Sequence, residues 1–286
     1  MFNNSAKVAA IHDLSGVGRC SLSVILPTLS AQGIQVCPVP TAILSAHTGG
    51  FGEVVLRDLT DYISPSLEHY KRLEYKFDCV YSGFLASMEQ IDHCLEFFEY
   101  YKDALKVVDP VMADHGKPYK TCTPELCSRM KELVAIADII TPNITEAAIL
   151  LGENPMVVDV SMQQIRSYLV RLSELGPKIV VITSIFSDGK TYNVGYDREH
   201  SKFWRIPYNM INANYPGTGD VFAAVLTGSI IRGDSLPIAM NRATAFLERA
   251  IKTTYSYSTD TRDGIMLESC LEFLISNPAL CDYEQM

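Results

Sequence analysis

Residues 212–233 read NANYPGTGDVFAAVLTGSIIRG and place Gly-Thr-Gly-Asp directly before a run of small, apolar residues. The apolar run predicts a buried helix over about 219–232. The two glycines would let successive backbone N–H groups converge on an anion, and the helix start would add its own unsatisfied N–H groups there. The motif, Gly217 to Asp220, therefore predicts a phosphate-binding site with a carboxylate beside it.

Asp220 is the residue of this motif that suggests chemistry as well as binding. A carboxylate at a helix start is held ionised, because the helix dipole and the amide N–H groups favour its charged form. Next to a bound phosphoryl group, it could accept the proton of an alcohol that attacks phosphorus. The alternative is that Asp220 only caps the helix after a glycine turn, and the motif alone leaves both interpretations open.

The rest of the chain alternates short β-branched runs with amphipathic stretches. This alternation predicts a three-layer α/β/α fold, in which a central, mostly parallel sheet is covered by helices on both faces. The predicted strands are KVAAIHD at 7–13, IQVCPVPTAI at 34–43, and the runs at 77–83, 105–111, 136–142 and 177–184. The prolines of the second run favour a place at the sheet edge.

Helical patterns lie between and after these strands, without an internal repeat or a linker. We expect a single domain over 1–286, with a small antiparallel hairpin at 189–208. The predicted helices cover 20–32, 53–72, 87–104, 124–135, 143–151, 161–175, 219–232, 236–254 and 265–276.

Composition excludes several classes of function. The chain of 286 residues carries a net charge of −9 and has no Lys/Arg cluster, which argues against nucleic acid as a partner. No apolar run has the length of a membrane helix. The eight cysteines are scattered and no secretion signal precedes the first strand. We therefore expect a soluble, cytoplasmic protein whose cysteines are reduced and mostly buried, with a metal at Cys122 and Cys127 as a remote alternative.

Polar clusters follow the predicted strands, and the carboxyl ends of parallel strands share one edge of a sheet, where ligands bind. In TPNITEAAILLG, at 141–152, Asn143 and Glu146 stand three residues apart on one helix face, where they could hold Mg²⁺ or form a capping box. DPVMADHGKPY, at 109–119, adds Asp109 and Asp114. His12 lies within the first strand and is interpreted as a hydrogen-bonded core residue.

These motifs together resemble a known family. DPVMADHG at 109–116, TPNITEA at 141–147 and PGTGDVFAA at 216–224 are similar, in this order, to the ribokinase-like superfamily and its vitamin kinases. IHDLSGVGRCSL at 11–22 and LSAHTGGFG at 44–52 resemble the pyridoxal kinase branch, so that the resemblance covers about residues 7–250. It implies ATP-dependent phosphorylation of the 5′-hydroxymethyl group of pyridoxal, pyridoxine or pyridoxamine, which is vitamin B6 salvage. It also implies Mg²⁺ and a homodimer, and it leaves K⁺ or Na⁺ open.

The resemblance assigns roles to individual positions. Asp220 would be the base for the substrate hydroxyl, and the catalytic anion hole would comprise Gly217, Thr218 and Gly219. The implied substrate contacts are Asp13, Cys20, His47, Thr48 and Phe84. The implied ATP contacts are Asn143, Thr183, Ser184, Thr218 and Gly219. The implied metal-site residues are Asp109, Asp114, Thr141 and Glu146, of which Glu146 and Asp114 would manage Mg²⁺.

Three positions depart from the pyridoxal kinase pattern. Asp13 stands where many members carry Ser, as it does in hydroxymethylpyrimidine kinases, and Phe84 replaces a Tyr that often packs on the pyridine ring. Ala113 replaces a Gly. These differences leave phosphorylation of hydroxymethylpyrimidine or its phosphate, a step of thiamine synthesis, as the alternative function.

Two other classes of function compete with a kinase. A nicotinamide-dependent oxidoreductase is disfavoured, because Ser21 stands where the third glycine of a dinucleotide fingerprint belongs. A P-loop kinase is excluded by the lack of a G-x-x-x-x-G-K-[ST] motif. A binding protein that kept the fold without catalysis would most easily have lost Asp220 or Glu146, and both are present.

Overall fold

The structure is a computed structural model that describes residues 5–119, 121–156, 160–275 and 283–286. Its strands in chain order are β1 (Lys7–Val17), β2 (Gln35–Ala46), β3 (Leu56–Asp58), β4 (Cys79–Ser82), β5 (Leu105–Val108), β6 (Ala113–Asp114), β7 (Lys117–Pro118), β8 (Ile139–Ile140), β9 (Ile179–Ser187), β10 (Lys190–Asp197), β11 (Lys202–Tyr208) and β12 (Glu284–Gln285). Its helices are α1 (Leu22–Ala31), α2 (Thr60–Arg72), α3 (Met88–Tyr100), α4 (Pro124–Ile136), α5 (Ile144–Leu151), α6 (Met162–Glu174), α7 (Thr218–Ile231), α8 (Leu236–Ser256) and α9 (Glu272–Ile275).

The described strands, apart from the small β6–β7 hairpin, form a ten-stranded sheet in the order β12-β11-β10-β9-β8-β5-β4-β1-β2-β3. All the pairings from β2 through β1, β4, β5 and β8 to β9 are parallel. The outer pairings β2–β3, β9–β10, β10–β11 and β11–β12 are antiparallel. The predicted mostly parallel sheet and the hairpin at 189–208 are therefore confirmed.

Two hydrophobic layers cover the sheet, because the alternation of side chains sends neighbouring residues of each strand to opposite faces. In β1, Ala9 and Ile11 pack with the buried faces of α2 to α6. Val8 and Ala10 pack on the other side, with the buried faces of α1, α7 and α8. The result is the predicted three-layer α/β/α arrangement.

The structure corrects the sequence prediction at two helices. The predicted helix at 53–72 begins only at Thr60, because Leu56–Asp58 form β3 along Ala42–Leu44 of β2. The predicted helix at 265–276 is instead a 3₁₀ turn, Leu267–Ser269, followed by the four-residue helix α9, and residue 276 lies outside the described residues.

The expectation of reduced cysteines was wrong for one pair. Cys122 and Cys127 form a disulfide whose Cα atoms lie 6.1 Å apart, within the range that this bond spans. The chain turns at Thr123 into the first turn of α4, and this turn brings the two side chains together. The other cysteines that the structure describes are free: Cys20, Cys37, Cys79, Cys94 and Cys270.

The topology places the candidate site at one edge of the sheet. Parallel pairing brings the carboxyl ends of β1, β4, β5, β8 and β9 to this edge. The start of α7 meets the chain just after β1 at the same edge, since Asp220 contacts Ser21. Of the helices in the described part of the chain, none is long and apolar enough to cross a bilayer.

Candidate active site

The start of α7 presents backbone N–H groups to an open space. Gly217 precedes the helix in a left-handed conformation with φ 81°. The N–H groups of Thr218, Gly219 and Asp220 find no acceptor among the residues that the structure describes. Gly219 is exposed, and a Cβ added there would meet no atom within 4 Å. Because a helix start concentrates unsatisfied donors and positive potential, this space can receive an anion.

Gly217 lets the α7 start approach the chain that follows β1. A Cβ at Gly217 would collide with the carbonyl of Arg19 and come within 3.0 Å of the Cα of Cys20. The positive φ of Gly217 is also one that other residues adopt at a cost. The glycine is thus required both by its conformation and by the close approach.

Asp220 is buried, with 7% of its surface exposed, and its carboxylate is held from two sides. The Ser21 N–H donates to Oδ2 at 2.7 Å, and the Cys20 thiol donates to the same oxygen at 3.3 Å. Burial and the Asp220 charge raise the pKa of this thiol well above its ordinary value, which keeps it a donor. Ser21 reaches this position with φ 58°, an uncommon backbone conformation of the kind that clusters at functional sites.

The second oxygen of Asp220 faces His12, a residue that sequence reasoning assigned to the core. His12 Nε2 lies 3.2 Å from Asp220 Oδ1, within ion-pair distance but outside hydrogen-bond geometry. His12 Nδ1 lies 2.9 Å from Asp13 Oδ1. The imidazole is 1% exposed, and Gly83 makes room for it, since a Cβ there would overlap the ring.

The charge of His12 follows from these two carboxylates. Burial by itself lowers the pKa of an imidazole, but the contacts with Asp13 and Asp220 and their negative charges outweigh burial and raise the pKa of His12 to about 10. This shift favours the protonated, cationic imidazole at neutral pH, and the Asp13 backbone N–H also lies 3.0 Å from Nδ1. Burial likewise raises the pKa of Asp13, but His12 reverses this effect and holds the pKa below its ordinary value.

Asp13, expected to contact the substrate, points into the protein in this structure. It is 5% exposed, and besides His12 it accepts a hydrogen bond from the Ser15 hydroxyl at 3.1 Å. The pairing of β1 with β2 is irregular between His12 and Leu14, which lets consecutive residues join one polar cluster within the strand. A His-Asp pair within a largely apolar strand was the signal in the sequence that pointed to His12.

Two further buried carboxylates lie near the same edge. Burial and the charge of Asp220 raise the pKa of Asp109 to about 7. Burial and the charge of Asp109 raise the pKa of Glu146 well above its ordinary value. The hydroxyl of Thr141 is close to Asp109 and is buried without hydrogen-bond geometry to any described residue. These oxygens concentrate negative charge where a cation would be stabilised.

Glu146 also forms the capping box that the sequence left open. Its Oε2 accepts the Asn143 N–H at 2.9 Å, and the Asn143 side chain accepts the Glu146 N–H at 3.0 Å. Its Oε1 accepts the Met112 N–H at 2.9 Å. Asp114 is the last residue of β6, beside the β6–β7 turn, and accepts the His115 N–H. In the described ranges no three His, Cys, Asp or Glu side chains form a ready metal cage.

The oxygens of Asp109, Thr141 and Glu146 are nevertheless of the type that Mg²⁺ prefers, and this ion commonly keeps several waters. The unpartnered Thr141 hydroxyl and the raised pKa of Asp109 fit a hydrated cation at this edge. With Glu146 already occupied by N–H donors, we expect contact through water rather than direct coordination.

The residues expected to contact ATP lie just after β8 and in the middle of β9, where Asn143 and Thr183 pair beyond the end of β8. Thr183 pairs with Asn143, and Ser184 follows in an irregular step with φ 59°. The Asn193 side chain accepts the Ser184 N–H at 3.1 Å and so holds this step in place. Ser184 is exposed beside the cleft and Thr183 is half-buried.

The His-Thr-Gly segment is held tightly around His47. The Gly49 N–H donates to Nδ1 at 3.0 Å, which leaves the proton on Nε2, and Nε2 lies 2.7 Å from the Arg262 carbonyl oxygen. Both ring nitrogens of His47 are therefore used within the protein. Thr48 next to it is exposed, and Phe84, which follows β4, is half-buried.

Comparisons with known proteins place the chain among kinases. The sequence model of the family described as phosphomethylpyrimidine kinase matches residues 26–264. A phosphomethylpyrimidine kinase candidate from Bacteroides thetaiotaomicron is 42% identical, and its crystal form with pyridoxal superposes with a TM-score of 0.95 over 99% of this chain and 100% of that chain. The pyridoxal kinase of Lactobacillus plantarum is 31% identical, with a TM-score of 0.87 over 96% of this chain and 97% of that chain.

A curated plant relative is longer. The thiamine biosynthetic bifunctional enzyme TH1 of Arabidopsis thaliana is 28% identical over 248 residues, which are 86% of this chain. This chain spans 45% of that protein, or about half its length.

The close approach at Gly217 predicts a stability difference between two glycines. Gly217 and Gly33 both have φ +81°, but a Cβ at Gly33 would meet no atom within 4 Å. Gly33→Ala should lower the free energy of unfolding by about 1–2 kcal/mol through backbone strain alone. Gly217→Ala should lower it by at least about 1 kcal/mol more, because the Arg19 carbonyl must move. Guanidinium unfolding measures both, and equal losses would contradict the close approach.

The charge of His12 predicts a pH dependence of stability. The folded protein holds this proton with a pKa of about 10, against 6.5 ordinarily, so the stabilisation is complete below pH 6.5 and is lost as the pH rises through 10. His12→Gln cannot titrate. The unfolding free energy of the unmodified protein should therefore exceed that of His12→Gln by at least about 1 kcal/mol more at pH 6.5 than at pH 10. A pH-independent difference would show that His12 is neutral.

Proposed function

We propose that this chain, which belongs to the phosphomethylpyrimidine kinase family, is a kinase that transfers the γ-phosphoryl group of ATP to the 5′-hydroxymethyl group of pyridoxal, pyridoxine or pyridoxamine. The observation that carries the proposal is the buried carboxylate of Asp220 at the N–H-rich start of α7. The pyridoxal in the crystal form of the Bacteroides relative supports the choice of a pyridine alcohol.

Asp220 would act as the general base. Two neighbouring groups hold Oδ2, and His12 lies against Oδ1, so the carboxylate has a fixed orientation in a site largely closed to water. A positioned base that accepts the alcohol proton as phosphorus is attacked contributes about 10²–10⁴ in rate. Its place beside Gly219 puts the base next to the space where the phosphoryl group would move.

The start of α7 would bind the migrating phosphoryl group. The N–H groups of Thr218 and Gly219, with that of Gly217, would form the anion hole, and Thr218 and Gly219 would also contact ATP. In phosphoryl transfer the negative charge is spread over the equatorial oxygens, so donors that are already oriented stabilise the transition state without reorganising. The open space beside Gly219 supports this role.

Mg²⁺, when bound, would neutralise charge on the ATP phosphates. Asp109, Thr141 and Glu146 would hold it largely through water, and Asp114 beside the β6–β7 turn would approach when the nucleotide is present. The raised pKa values of Asp109 and Glu146 support this use, because a cation at the site would favour their charged forms. The same oxygens, with Thr183, could accept K⁺ or Na⁺.

The nucleotide and the alcohol would enter from different sides of α7. Asn143, Thr183 and Ser184 would contact ATP just after β8 and in the middle of β9. Thr48 and Phe84 would meet the substrate ring near Cys20, and His47 would hold the loop that carries Thr48. Asp13 would act on the substrate only indirectly, because its carboxylate is bound to His12 and Ser15.

Phosphorylation of hydroxymethylpyrimidine or its phosphate is the alternative. The family description and the TH1 relative of thiamine synthesis favour it. Asp13 favours it also, since it departs from the pyridoxal kinase pattern. Both alternatives use the same phosphoryl chemistry on a hydroxymethyl group of a flat nitrogen heterocycle. They differ only in the heterocycle that the residues around the ring would contact.

We further propose a role in vitamin B6 salvage, a cytoplasmic location, assembly as a homodimer and a single domain over 1–286. These features rest on the family resemblance and on the sequence pattern, and each stays a prediction.

Asp220→Asn should lower kcat by about 10² or more, because the amide cannot accept the alcohol proton. ATP affinity should change little, since the N–H groups of α7 are unaltered. Steady-state kinetics with isothermal titration of ATP measures both quantities. Asp61→Asn is the matched control, since Asp61 also lies in the first turn of a helix but is exposed on α2. Turnover of Asp220→Asn close to that of Asp61→Asn would exclude Asp220 as the base.

A panel of alcohols separates the two substrates. ADP release should be fastest with a B6 vitamer, and at least about tenfold slower with hydroxymethylpyrimidine, because one missing or misplaced ring contact costs about 1–3 kcal/mol. A coupled assay with pyridoxal, pyridoxine, pyridoxamine and hydroxymethylpyrimidine at equal concentrations gives the order. Preference for the pyrimidine would select the alternative, and no turnover of any of the four would refute the proposed function.

A further inference from the structure

His12 links two carboxylates inside the candidate site. Its Nδ1 lies 2.9 Å from Asp13 Oδ1 and its Nε2 lies 3.2 Å from Asp220 Oδ1. The three side chains are all buried, with exposures of 1% for His12, 5% for Asp13 and 7% for Asp220. The imidazole of His12 thus bridges the carboxylates of Asp13 and Asp220, and Asp220 is the proposed base.

This arrangement is costly for a histidine whose only role is packing. A buried cation is retained only where partners compensate for the water it has lost. His12 has a carboxylate at each ring nitrogen, and the neighbouring β4 end supplies Gly83, whose missing side chain leaves room for the ring. Asp13 is itself held by the Ser15 hydroxyl, which orients it toward His12.

We propose that His12 is a positioning residue for the phosphoryl transfer: braced by Asp13, it fixes the orientation of the Asp220 carboxylate. The Ser21 N–H donates to Oδ2 at 2.7 Å and His12 Nε2 lies 3.2 Å from Oδ1, so each oxygen of the carboxylate has a fixed neighbour that restricts its rotation. Each carboxylate oxygen has two lone-pair directions, so an accepting direction remains for the alcohol proton. This inference rests on the proposed function, because it assigns His12 to the base of that reaction.

His12 would act through charge and position and not as a second base. Its raised pKa favours the protonated ring at neutral pH, and a protonated ring cannot take the proton that Asp220 accepts. Its positive charge lies in a site that also contains the buried carboxylates of Asp109 and Glu146. A fixed cation there offsets part of their repulsion on Asp220, which keeps the base in place before the substrate arrives.

Asparagine and glutamine at position 12 separate the two contacts. The amide nitrogen of Asn can occupy the place of Nδ1 and that of Gln the place of Nε2, so that His12→Gln keeps a donor for Asp220 and His12→Asn does not. His12→Asn should lower kcat about 10²-fold and His12→Gln about tenfold, with KM for the alcohol changed less than about threefold. His200→Asn is the control, since it removes the exposed His200–Asp197 contact of 2.7 Å at the β10–β11 turn.

Asp13→Asn tests whether Asp13 acts through His12. If it does, this variant lowers kcat about tenfold without raising KM, and adding it to His12→Asn changes kcat less than about threefold. Independent, multiplying losses or a raised KM for Asp13→Asn would mean that Asp13 contacts the substrate and would overturn the inference. If His12→Asn fails to fold, the comparison of Asp13→Asn with His12→Gln still tests whether Asp13 acts through His12.

Thermal unfolding and ATP affinity of each variant are measured beside the kinetics. Equal kcat losses for His12→Asn and His12→Gln, or an unchanged kcat in both variants, would overturn the inference. The proposed function would still stand in that case if the unmodified protein turns over one of the alcohols. Inactivity of the unmodified protein on every alcohol of the panel would refute both. The inference is supported if kcat falls in the order given and His200→Asn keeps full turnover.

Discussion

The contact between the start of α7 and the chain that follows β1 is the constraint on which the site depends. Gly217 packs against Arg19 and Cys20, and Asp220 accepts the Ser21 N–H at 2.7 Å, so segments about 200 residues apart in sequence meet backbone to backbone. This approach orients the N–H groups of α7 toward an open space and buries the carboxylate beside them. Without it, the N–H groups would still lie at the start of α7, but the carboxylate of Asp220 would not be buried beside them.

The buried charged groups at the same edge of the sheet carry an electrostatic free-energy cost. Asp13, Asp109, Glu146 and Asp220 are all buried there, and His12 is the buried cation that contacts two of them. Burial and mutual repulsion raise the pKa of Asp109 to about 7, a cost that a structural site would avoid. A cation bound at this edge would favour the charged forms of these carboxylates and so reduce their mutual repulsion.

The sequence predicted the fold well because its signals are periodic and local. Apolar runs located the parallel strands, and the glycine motif located the start of α7 to within one residue. The errors fell where tertiary contacts outweigh local pattern: Leu56–Asp58 became strand β3 because the free edge of β2 offered hydrogen bonds. The Cys122–Cys127 disulfide was missed because spacing alone gives no direction for the two side chains.

The candidate site shows the same difference between residues that local motifs identify and residues that only tertiary contacts identify. Asp220 and Glu146 stand in contiguous motifs, and Glu146 forms a capping box with Asn143. His12 was missed because its second partner, Asp220, lies more than 200 residues away in sequence, and the local His-Asp pair does not reveal that contact. The proposed phosphoryl-transfer groups lie in contiguous motifs, whereas the proposed ring contacts, such as Thr48 and Phe84, are scattered along the chain. A sequence of this kind therefore identifies the reaction class more firmly than the heterocycle on which it acts.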